Sequence, residues 1–331
     1  MRSALTRLEG GVSCVEGVRA AHATLADAGT GCTAIVCPQG ATGGVDVRGG
    51  APATRETDLL RPEETVDVLH AVVLSGGSAF GLAASCGVAE ELESRGIGLD
   101  VGVAKVPIVS SACLFDLACG RPDVRPGVEE GREAARRALD APAGPLERGN
   151  VGAGCGCTVG KLAGPGRAMK SGLGEVALAS GELVCAAVAA VNACGDVVDP
   201  RTGEPIAGLR DESGRQLVPS EEALLSLAAQ MPLSRTNTTI SCVVTNARLT
   251  KAQATKVAQM AADAYAHAIR PTHTTNDGDT VFVMATGAVE AQVDVVGTLA
   301  TRALEEAIAD GARSARGAYG LPAARDLGGA R

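Results

Sequence analysis

Aromatic side chains are almost absent from this 331-residue chain, which has two tyrosines, three phenylalanines and no tryptophan. Glycine, by contrast, occurs 43 times, and hydrophobic residues make up 46% of the sequence. Without large rings, a core has to be filled by Ala, Val, Leu and Ile, with backbones that approach each other closely. The chain is long enough to bury such a core in one large or two modest domains, and too apolar to be disordered.

The chain also lacks an excess of basic residues, because 38 Asp and Glu against 30 Lys and Arg give a formal charge of −8. Without a basic stripe to neutralise phosphates, nucleic acid is excluded as a partner. The charge favours amine-bearing substrates only weakly, since many soluble proteins are acidic. Residues 1–9 lack the apolar segment of a signal peptide, and the apolar run that Asn192 interrupts is too short to span a bilayer. We therefore expect a cytoplasmic protein without membrane contact.

Metal-binding and disulfide patterns are missing as well, although the chain has eleven cysteines. Cys155 and Cys157 are the closest pair, and structural zinc uses wider spacings and a second pair. Without export the thiols are expected to stay reduced, and a cysteine in an apolar run, such as Cys185, is typical of a protein core. The acidic residues at 277–279 are not followed by further ligands at calcium-loop spacing. We expect no metal and no cofactor.

Only four histidines are present, and no Gly-x-Ser-x-Gly turn occurs. A Ser-His-Asp triad is not excluded, although the turn that usually carries its serine is missing. His267 and His273 flank the end of a predicted helix and are expected to be structural or exposed.

The sequence does contain a threonine-rich segment that opens into a β-branched, apolar strand, at residues 236–244. A hydroxyl at the start of a strand becomes that of a new N-terminus if the preceding peptide bond is cut. The freed α-amine then lies beside the hydroxyl and serves as its base. Because its reference pKa is about 7.7–8.0, this amine is partly neutral at physiological pH, and no histidine is needed.

Three further features allow two interpretations each. The Asp277-Gly278-Asp279 sequence is a common turn pattern, or a pair of carboxylates directed at a site. Asn192, in an apolar run, is a satisfied core amide or a donor to an oxyanion. The glycine-rich residues 152–161 depart from the phosphate-binding pattern, so they form a packed loop or a loop that brings Lys161 into a site.

The coarse order of elements favours a layered α/β sandwich over a doubly wound sheet, because strands and helices alternate without regular βαβ spacing. A hairpin is predicted with its turn at Gly181-Glu182. A capping box at Thr250 predicts a helix that continues to about Arg270. No linker separates two domains.

Several motifs follow one another over nearly the whole chain, and together they are specific: Gly-Val-Arg at 17–19, Asp-Val-Arg-Gly at 46–49, Leu-Ser-Gly-Gly-Ser-Ala-Phe-Gly at 74–81, Gly-Asn-Val-Gly-Ala-Gly at 149–154, Ala-Met-Lys-Ser-Gly-Leu-Gly at 168–174, Asn-Thr-Thr-Ile at 237–240 and Asp-Gly-Asp-Thr at 277–280. In these motifs the chain resembles the DmpA-like N-terminal-nucleophile aminopeptidases, and most closely their nylon-oligomer (6-aminohexanoate-oligomer) hydrolase branch.

The resemblance implies one four-layer αββα sandwich over residues 1–331, of the N-terminal-nucleophile-hydrolase type. It implies self-cleavage between Asn237 and Thr238 into segments 1–237 and 238–331. It also implies a small amide or oligoamide substrate, such as a short peptide or an aminohexanoate oligomer, and a homo-oligomer, expected to be a tetramer.

The resemblance also assigns the site. Thr238 is the nucleophile and its own base, and Asp277 and Asp279 orient it. Lys161, with Lys170 as the alternative, matches the supporting cation, and Asn192 matches the amide on the oxyanion side.

One position departs from the family, because a Tyr-Asp pair near the site is replaced by Phe115-Asp116. Phenylalanine cannot donate a hydrogen bond to an oxyanion. Together with Ser75, Gly76 and Gly77, Phe115 belongs to the expected substrate or oxyanion region.

Two other functions remain open at this point. One is acyl transfer to an amine, as in ornithine acetyltransferase, which also cuts itself before a threonine but at a different motif. The other is an uncut, non-enzymatic homologue, which the missing tyrosine keeps open. One band or two on a denaturing gel distinguishes the uncut form from the self-cutting enzymes.

Overall fold

The computed structural model of the chain describes residues 5–226 and 237–327. In these ranges the backbone forms the following strands: β1 (Leu5–Leu8), β2 (Arg19–Leu25), β3 (Thr30–Val47), β4 (Thr54–Arg55), β5 (Leu69–Ser75), β6 (Leu99–Asp100), β7 (Lys105–Val106), β8 (Val109–Cys113), β9 (Thr158–Val159), β10 (Met169–Lys170), β11 (Leu173–Ser180), β12 (Leu183–Asn192), β13 (Asp196–Val198), β14 (Pro205–Ala207), β15 (Thr238–Ala247), β16 (Ile269–Arg270) and β17 (Thr280–Val289).

The same ranges contain these α-helices: α1 (Ala84–Ser94), α2 (Val128–Asp140), α3 (Ser220–Ser226), α4 (Lys251–Ala261), α5 (Asp263–Ala268) and α6 (Val293–Ser314). Among the described helices, none combines the length and the apolar character that a bilayer crossing requires.

The long strand β3 joins two halves of the β-structure. Its residues 42–47 pair with β17, which is followed outward by β15, β12, β11 and β1. Its residues 30–36 pair with β2 on one side and with β5 on the other, and β8 and β4 follow β5. One continuous strand therefore belongs to both halves of a ten-stranded sheet.

Alternation of side chains along the strands builds the layers. In β12, Ala187 and Ala189 join the apolar cluster that includes helices α4, α5 and α6, whereas Val188 and Ala190 join a second cluster between the sheets. In β5, Val72 and Leu74 join that same second cluster, whereas Ala71 and Val73 pack with α1 and α2 in a third cluster. Successive strand residues point to opposite faces, so three clusters separate four layers. The expected αββα sandwich is confirmed.

Close backbone approach replaces aromatic bulk, as the composition predicts. A Cβ atom at Gly174 on β11 would lie 2.0 Å from the carbonyl oxygen of Ala307 on α6, and one at Gly44 on β3 would lie 2.4 Å from the backbone of Ala254 on α4. Helices α1 and α2 contact each other in the same way, through Gly87. Glycines therefore set the spacing of helices and sheets.

The predicted hairpin is present, with β11 and β12 on either side of Gly181-Glu182. The capping box is also present, since Thr250 accepts a hydrogen bond from the backbone of Gln253, whose side chain accepts one in return. The predicted helix to Arg270 is too long, because α5 ends at Ala268 and Ile269–Arg270 pair with β13. The residue before a proline is disfavoured in a helix, which fits an extended Arg270.

We predict that Gly174→Ala destabilises the protein by about 2 kcal/mol or more, because the added methyl group meets backbone atoms that cannot rotate away. The control is Gly144→Ala, where nothing lies within 4 Å of the added Cβ. Thermal unfolding followed by circular dichroism suits a chain without tryptophan. Equal melting temperatures for the two variants would show that α6 does not pack on β11 as described.

Candidate active site

Three strand ends meet at one edge of the sheet. Thr238, the first residue of β15, lies opposite Asn192, the last residue of β12, in an antiparallel register. On its other side β15 runs parallel to β17, with Ile240 beside Thr280. The Asp277-Gly278-Asp279 turn directly precedes β17, so it arrives at the same edge as Thr238. Sheet pairing therefore brings together residues that are about 40 positions apart in the chain.

The Thr238 hydroxyl faces the peptide bond that precedes it. It donates a short hydrogen bond to the carbonyl oxygen of Asn237, in a chain that is continuous here. It also accepts a hydrogen bond from the backbone N of Gly278 at 3.2 Å. A Cβ at Gly278 would lie 2.9 Å from this hydroxyl oxygen, so a larger residue would crowd the Thr238 side chain.

Asn192 is completely buried, and its partners include Lys161, Thr158 and Phe115. Its Oδ1 accepts hydrogen bonds from Lys161 Nζ at 2.8 Å and from the backbone N of Thr158 at 3.0 Å. Its Nδ2 donates to the carbonyl oxygen of Phe115 at 2.8 Å. These partners define the orientation of the amide, with its nitrogen directed toward Phe115.

Lys161 and Lys170, the two candidates for the supporting cation, have different partners. Lys161 Nζ donates to both the backbone and the side-chain oxygen of Asn192, at 2.9 and 2.8 Å. Lys170 Nζ donates instead to the carbonyl oxygens of Cys155 and Cys157, at 2.9 and 2.6 Å. Lys161 therefore belongs to the Thr238 edge, whereas Lys170 braces the glycine-rich loop.

Burial lowers the pKa of Lys161 to about 8, because desolvation penalises the ammonium form, and the Asp277 carboxylate is among the groups that oppose this shift. The side chain is consequently a cation that loses its proton not far above neutral pH. A buried ammonium group shifts the pKa values of the other titratable groups in the site.

The two carboxylates of the turn bond different neighbours. Asp279 Oδ1 accepts the backbone N–H of Thr239 at 2.8 Å, one residue after the proposed nucleophile. Asp277 Oδ2 accepts the backbone N–H of Thr274 at 2.8 Å, whereas its Oδ1 is buried without a hydrogen-bond partner among the described residues. The direct contact from this turn to the Thr238 hydroxyl comes from Gly278.

The pKa of Asp277 is raised to about 6, first by desolvation and then by the neighbouring Asp279 carboxylate. Two buried carboxylates one residue apart cannot both ionise at no cost. Asp277 is therefore suited to exchange a proton near neutral pH.

Sequence reasoning missed one member of this edge, His273. Its Nδ1 lies 2.9 Å from Asp279 Oδ2, and its ring stacks on Tyr265 with 5.3 Å between centroids. The expectation of a structural or exposed histidine overlooks this pair. Its position six residues before Asp279, in the loop leading to the turn, was the available signal.

A cavity of about 150 Å³ opens beside the buried edge, lined by Phe115, Asp116, Ala118, Cys119, Gly156, Thr158, Lys161, Gly164, Pro165, Ala168 and Leu321. Lys161, Thr158 and Phe115 each contact Asn192 and also line this space. The cavity therefore adjoins the amide that lies opposite Thr238.

Ser75, Gly76 and Gly77 support the wall of this cavity. Gly77 donates its backbone N–H to Asp116 Oδ1 at 2.7 Å, and a Cβ on Gly76 would lie 2.0 Å from Asp116 Oδ2. Ser75 Oγ donates to the carbonyl oxygen of Gly76. No hydrogen bond described for these three residues reaches Thr238, so they position Asp116 instead.

Residues 152–161 form a packed loop, and the interpretation that they bring Lys161 into an active site stays a prediction. The loop is packed tightly, since a Cβ at Gly154 would lie 2.2 Å from the backbone N of Leu173. It also delivers Thr158 and Lys161 to Asn192. The same packed loop therefore also places polar groups beside Asn192.

The pattern of peptidase family S58 matches residues 12–324. The chain belongs to peptidase family S58. An uncharacterized aminopeptidase of Mycobacterium leprae is 46% identical over 269 residues, covering 79% of this chain and 72% of the relative. The 6-aminohexanoate-oligomer endohydrolase of Paenarthrobacter ureafaciens is 32% identical over 264 residues, covering 79% and 70%.

A solved structure supports the fold assignment. The L-aminopeptidase D-Ala-esterase/amidase of Ochrobactrum anthropi, described as a variant of the Ntn hydrolase fold, superposes with a TM-score of 0.67. The match has 17% sequence identity and covers 94% of this chain and 88% of that one. The resemblance read from the motifs is confirmed, and this S58 chain is a hydrolase of the peptidase and amidase class.

We predict that Asp277→Asn stabilises the folded chain at pH 7–8 but not at pH 4. A carboxyl whose pKa is higher in the folded than in the unfolded state loses stability as pH rises from about 4 to about 6. An amide has no such penalty, so the expected gain above pH 7 is about 1–3 kcal/mol.

Both chains should carry Thr238→Ala, so that they remain uncut during calorimetry. Asp58→Asn, at a carboxylate that is 83% exposed, is the control and should change little at either pH. A destabilised Asp277→Asn chain at pH 8 would contradict the raised pKa.

Proposed function

We propose that this S58 hydrolase cuts itself between Asn237 and Thr238, and then hydrolyses amide bonds with Thr238 as N-terminal nucleophile. The observation that carries the proposal is the Thr238 hydroxyl hydrogen-bonded to the Asn237 carbonyl oxygen at a buried strand start. Among the described residues of this edge, no other side-chain hydroxyl is hydrogen-bonded to the peptide bond to be cut.

Maturation begins when Thr238 Oγ1 attacks the carbonyl carbon of Asn237. The C–N bond to Thr238 breaks, the nitrogen gains a proton, and an ester joins Asn237 to the hydroxyl oxygen. Water then hydrolyses the ester and leaves a carboxylate on Asn237 and a free amine on Thr238.

The peptide nitrogen of the uncut chain is not basic, so the hydroxyl proton needs another acceptor in this first step. Asp277 suits that role, because its pKa is raised and its Oδ1 has no hydrogen-bond partner among the described residues. After the cut, the Thr238 amine takes over as base.

In the hydrolytic cycle the same oxygen attacks the substrate carbonyl carbon and passes its proton to the Thr238 amine. The substrate C–N bond then breaks, the leaving amine takes up that proton, and water hydrolyses the acyl-enzyme ester to a free acid and the Thr238 hydroxyl. Asn192, a polar amide opposite Thr238, and Lys161, the cation bonded to it, suit stabilisation of the oxyanion. Phe115 offers its backbone carbonyl to Asn192, and its side chain lacks the hydroxyl that the family tyrosine has at this position.

We further propose that the substrate is a small amide or oligoamide. We also propose that the protein is a homotetramer. The relatives are named as an aminopeptidase and a 6-aminohexanoate-oligomer endohydrolase, and both names describe hydrolysis of an amide bond. The cavity beside Lys161 has apolar walls at Phe115, Ala118 and Leu321, which suit the hydrocarbon part of an acyl group.

We predict that the purified protein separates into fragments of about 24 and 9 kDa, by their share of the residues. Thr238→Ala should abolish cleavage, Thr238→Ser should retain it, and Thr239→Ala should spare it, because only the residue after the cut supplies both hydroxyl and amine. Intact-mass spectrometry decides the matter. A blocked Thr239→Ala with a processed Thr238→Ala would move the site by one residue.

We predict that Lys161→Met lowers the rate and moves the acidic limb of the pH profile to higher pH. Removing a nearby positive charge raises the pKa of the Thr238 amine, so a higher pH is needed to make that amine neutral. Initial rates of kcat/KM on a small amide, with processing verified by gel, measure the effect.

The matched control is Lys105→Met, at a lysine whose side chain is 42% exposed and pairs with Asp100. It should leave the profile unchanged. An acidic limb of Lys161→Met that stays in place would exclude Lys161 as a neighbour of the base.

A further inference from the structure

We propose that His273 is a positioning residue of this site: through Asp279 it fixes the first peptide groups of β15 and thereby the direction of the Thr238 hydroxyl. The inference rests on the proposed role of Thr238. It goes beyond it by assigning a function to a side chain outside the Thr238, Asn192, Lys161 and carboxylate set.

Asp279 collects four donors in a buried position. Its Oδ1 accepts Thr239 N–H, and its Oδ2 accepts the hydroxyl of Thr272 at 3.2 Å, the backbone N–H of His273 at 3.0 Å and His273 Nδ1 at 2.9 Å. The backbone groups can only donate, so the carboxylate is the acceptor throughout and Nδ1 carries the hydrogen. The imidazole is thus a donor that holds one oxygen of Asp279 while the other holds Thr239.

The other peptide group of Thr239 is held from the same side. Tyr265, on whose ring His273 stacks, directs its hydroxyl at the carbonyl oxygens of Thr239 and Thr280, each 3.1 Å away. Both peptide groups flanking Thr239 are therefore restrained by the Asp279–His273–Tyr265 group. Thr238 is the adjacent residue, and small errors in placing a nucleophile reduce rates strongly.

The backbone and the ring of His273 are both in an unusual state. It has a φ of +55°, a left-handed conformation that is uncommon for residues other than Gly, although Asn, Asp and His adopt it more often than the rest. Its Nε2 is buried without a hydrogen-bond partner among the described residues, so the ring is fixed by Nδ1 and by stacking. Both features cost stability, and they persist here because the surrounding structure, including the bond to Asp279, holds the residue in place.

The test compares Asn and Asp at position 273, two side chains that have the same shape as each other and both tolerate the left-handed backbone. His273→Asn keeps an N–H donor where Nδ1 lies, whereas His273→Asp places a carboxylate against Asp279. His267→Asn, at a half-exposed histidine on α5, is the control for loss of an imidazole.

We expect His273→Asn and His267→Asn to cut themselves within about twofold of the parent rate. His273→Asp should be slower by about 10- to 100-fold, the scale of one lost hydrogen bond to a charged group. On 6-aminohexanoyl p-nitroanilide as probe, the mature His273→Asp enzyme should lose kcat with KM nearly unchanged, because His273 is not among the residues that line the cavity beside Lys161.

A second measurement does not depend on cleavage. In a Thr238→Ala background, amide hydrogen exchange at Thr239 should accelerate by about 10-fold or more in His273→Asp and stay near the parent value in His273→Asn. If the parent never cuts itself, the proposed function fails, and the exchange result still decides the role of His273. Equal exchange and equal cleavage in the two variants, or equal losses with a lowered melting temperature in both, would overturn the inference.

Discussion

The antiparallel register between β12 and β15 is the constraint on which the site depends. It sets Asn192 opposite Thr238, and every other contact of the edge is built outward from this pair. Lys161 and Thr158 reach the site by bonding Asn192, while Asp279 reaches it through Thr239 on the same strand. A shift of one residue would turn Thr238 to the opposite face of the sheet and separate it from its partners.

Glycine makes this arrangement possible in a chain that is nearly free of aromatic residues. Close contacts at Gly174 and Gly44 bring helices onto the sheet, and Gly278 leaves room for the Thr238 hydroxyl. The same residue type therefore serves packing in the core and access at the reactive edge. Enlarging Gly174 would disturb stability, whereas enlarging Gly278 would disturb chemistry.

Local patterns were sufficient for much of the fold. The hairpin at Gly181-Glu182 and the capping box at Thr250 depend on neighbouring residues, and the motifs that resemble the DmpA-like family supplied the layers and the candidate site. The choice between Lys161 and Lys170 was not local, because nine residues separate two side chains that bond different partners. The His273–Asp279 pair was also difficult to predict, because the six-residue separation was a weak signal and a left-handed loop conformation has no periodic pattern in sequence.

The placement of β15 and β17 bears on what a break before Thr238 would do to the molecule. Both strands lie inside the sheet, with β12 on one side and β3 on the other, and both neighbours precede residue 237 in the chain. β15 and β17 thus have no free edge in the ten-stranded sheet, because a strand from the first part of the chain pairs with each outer side of the two. A broken backbone would leave two interleaved polypeptides that share one core, able to separate only by unfolding together.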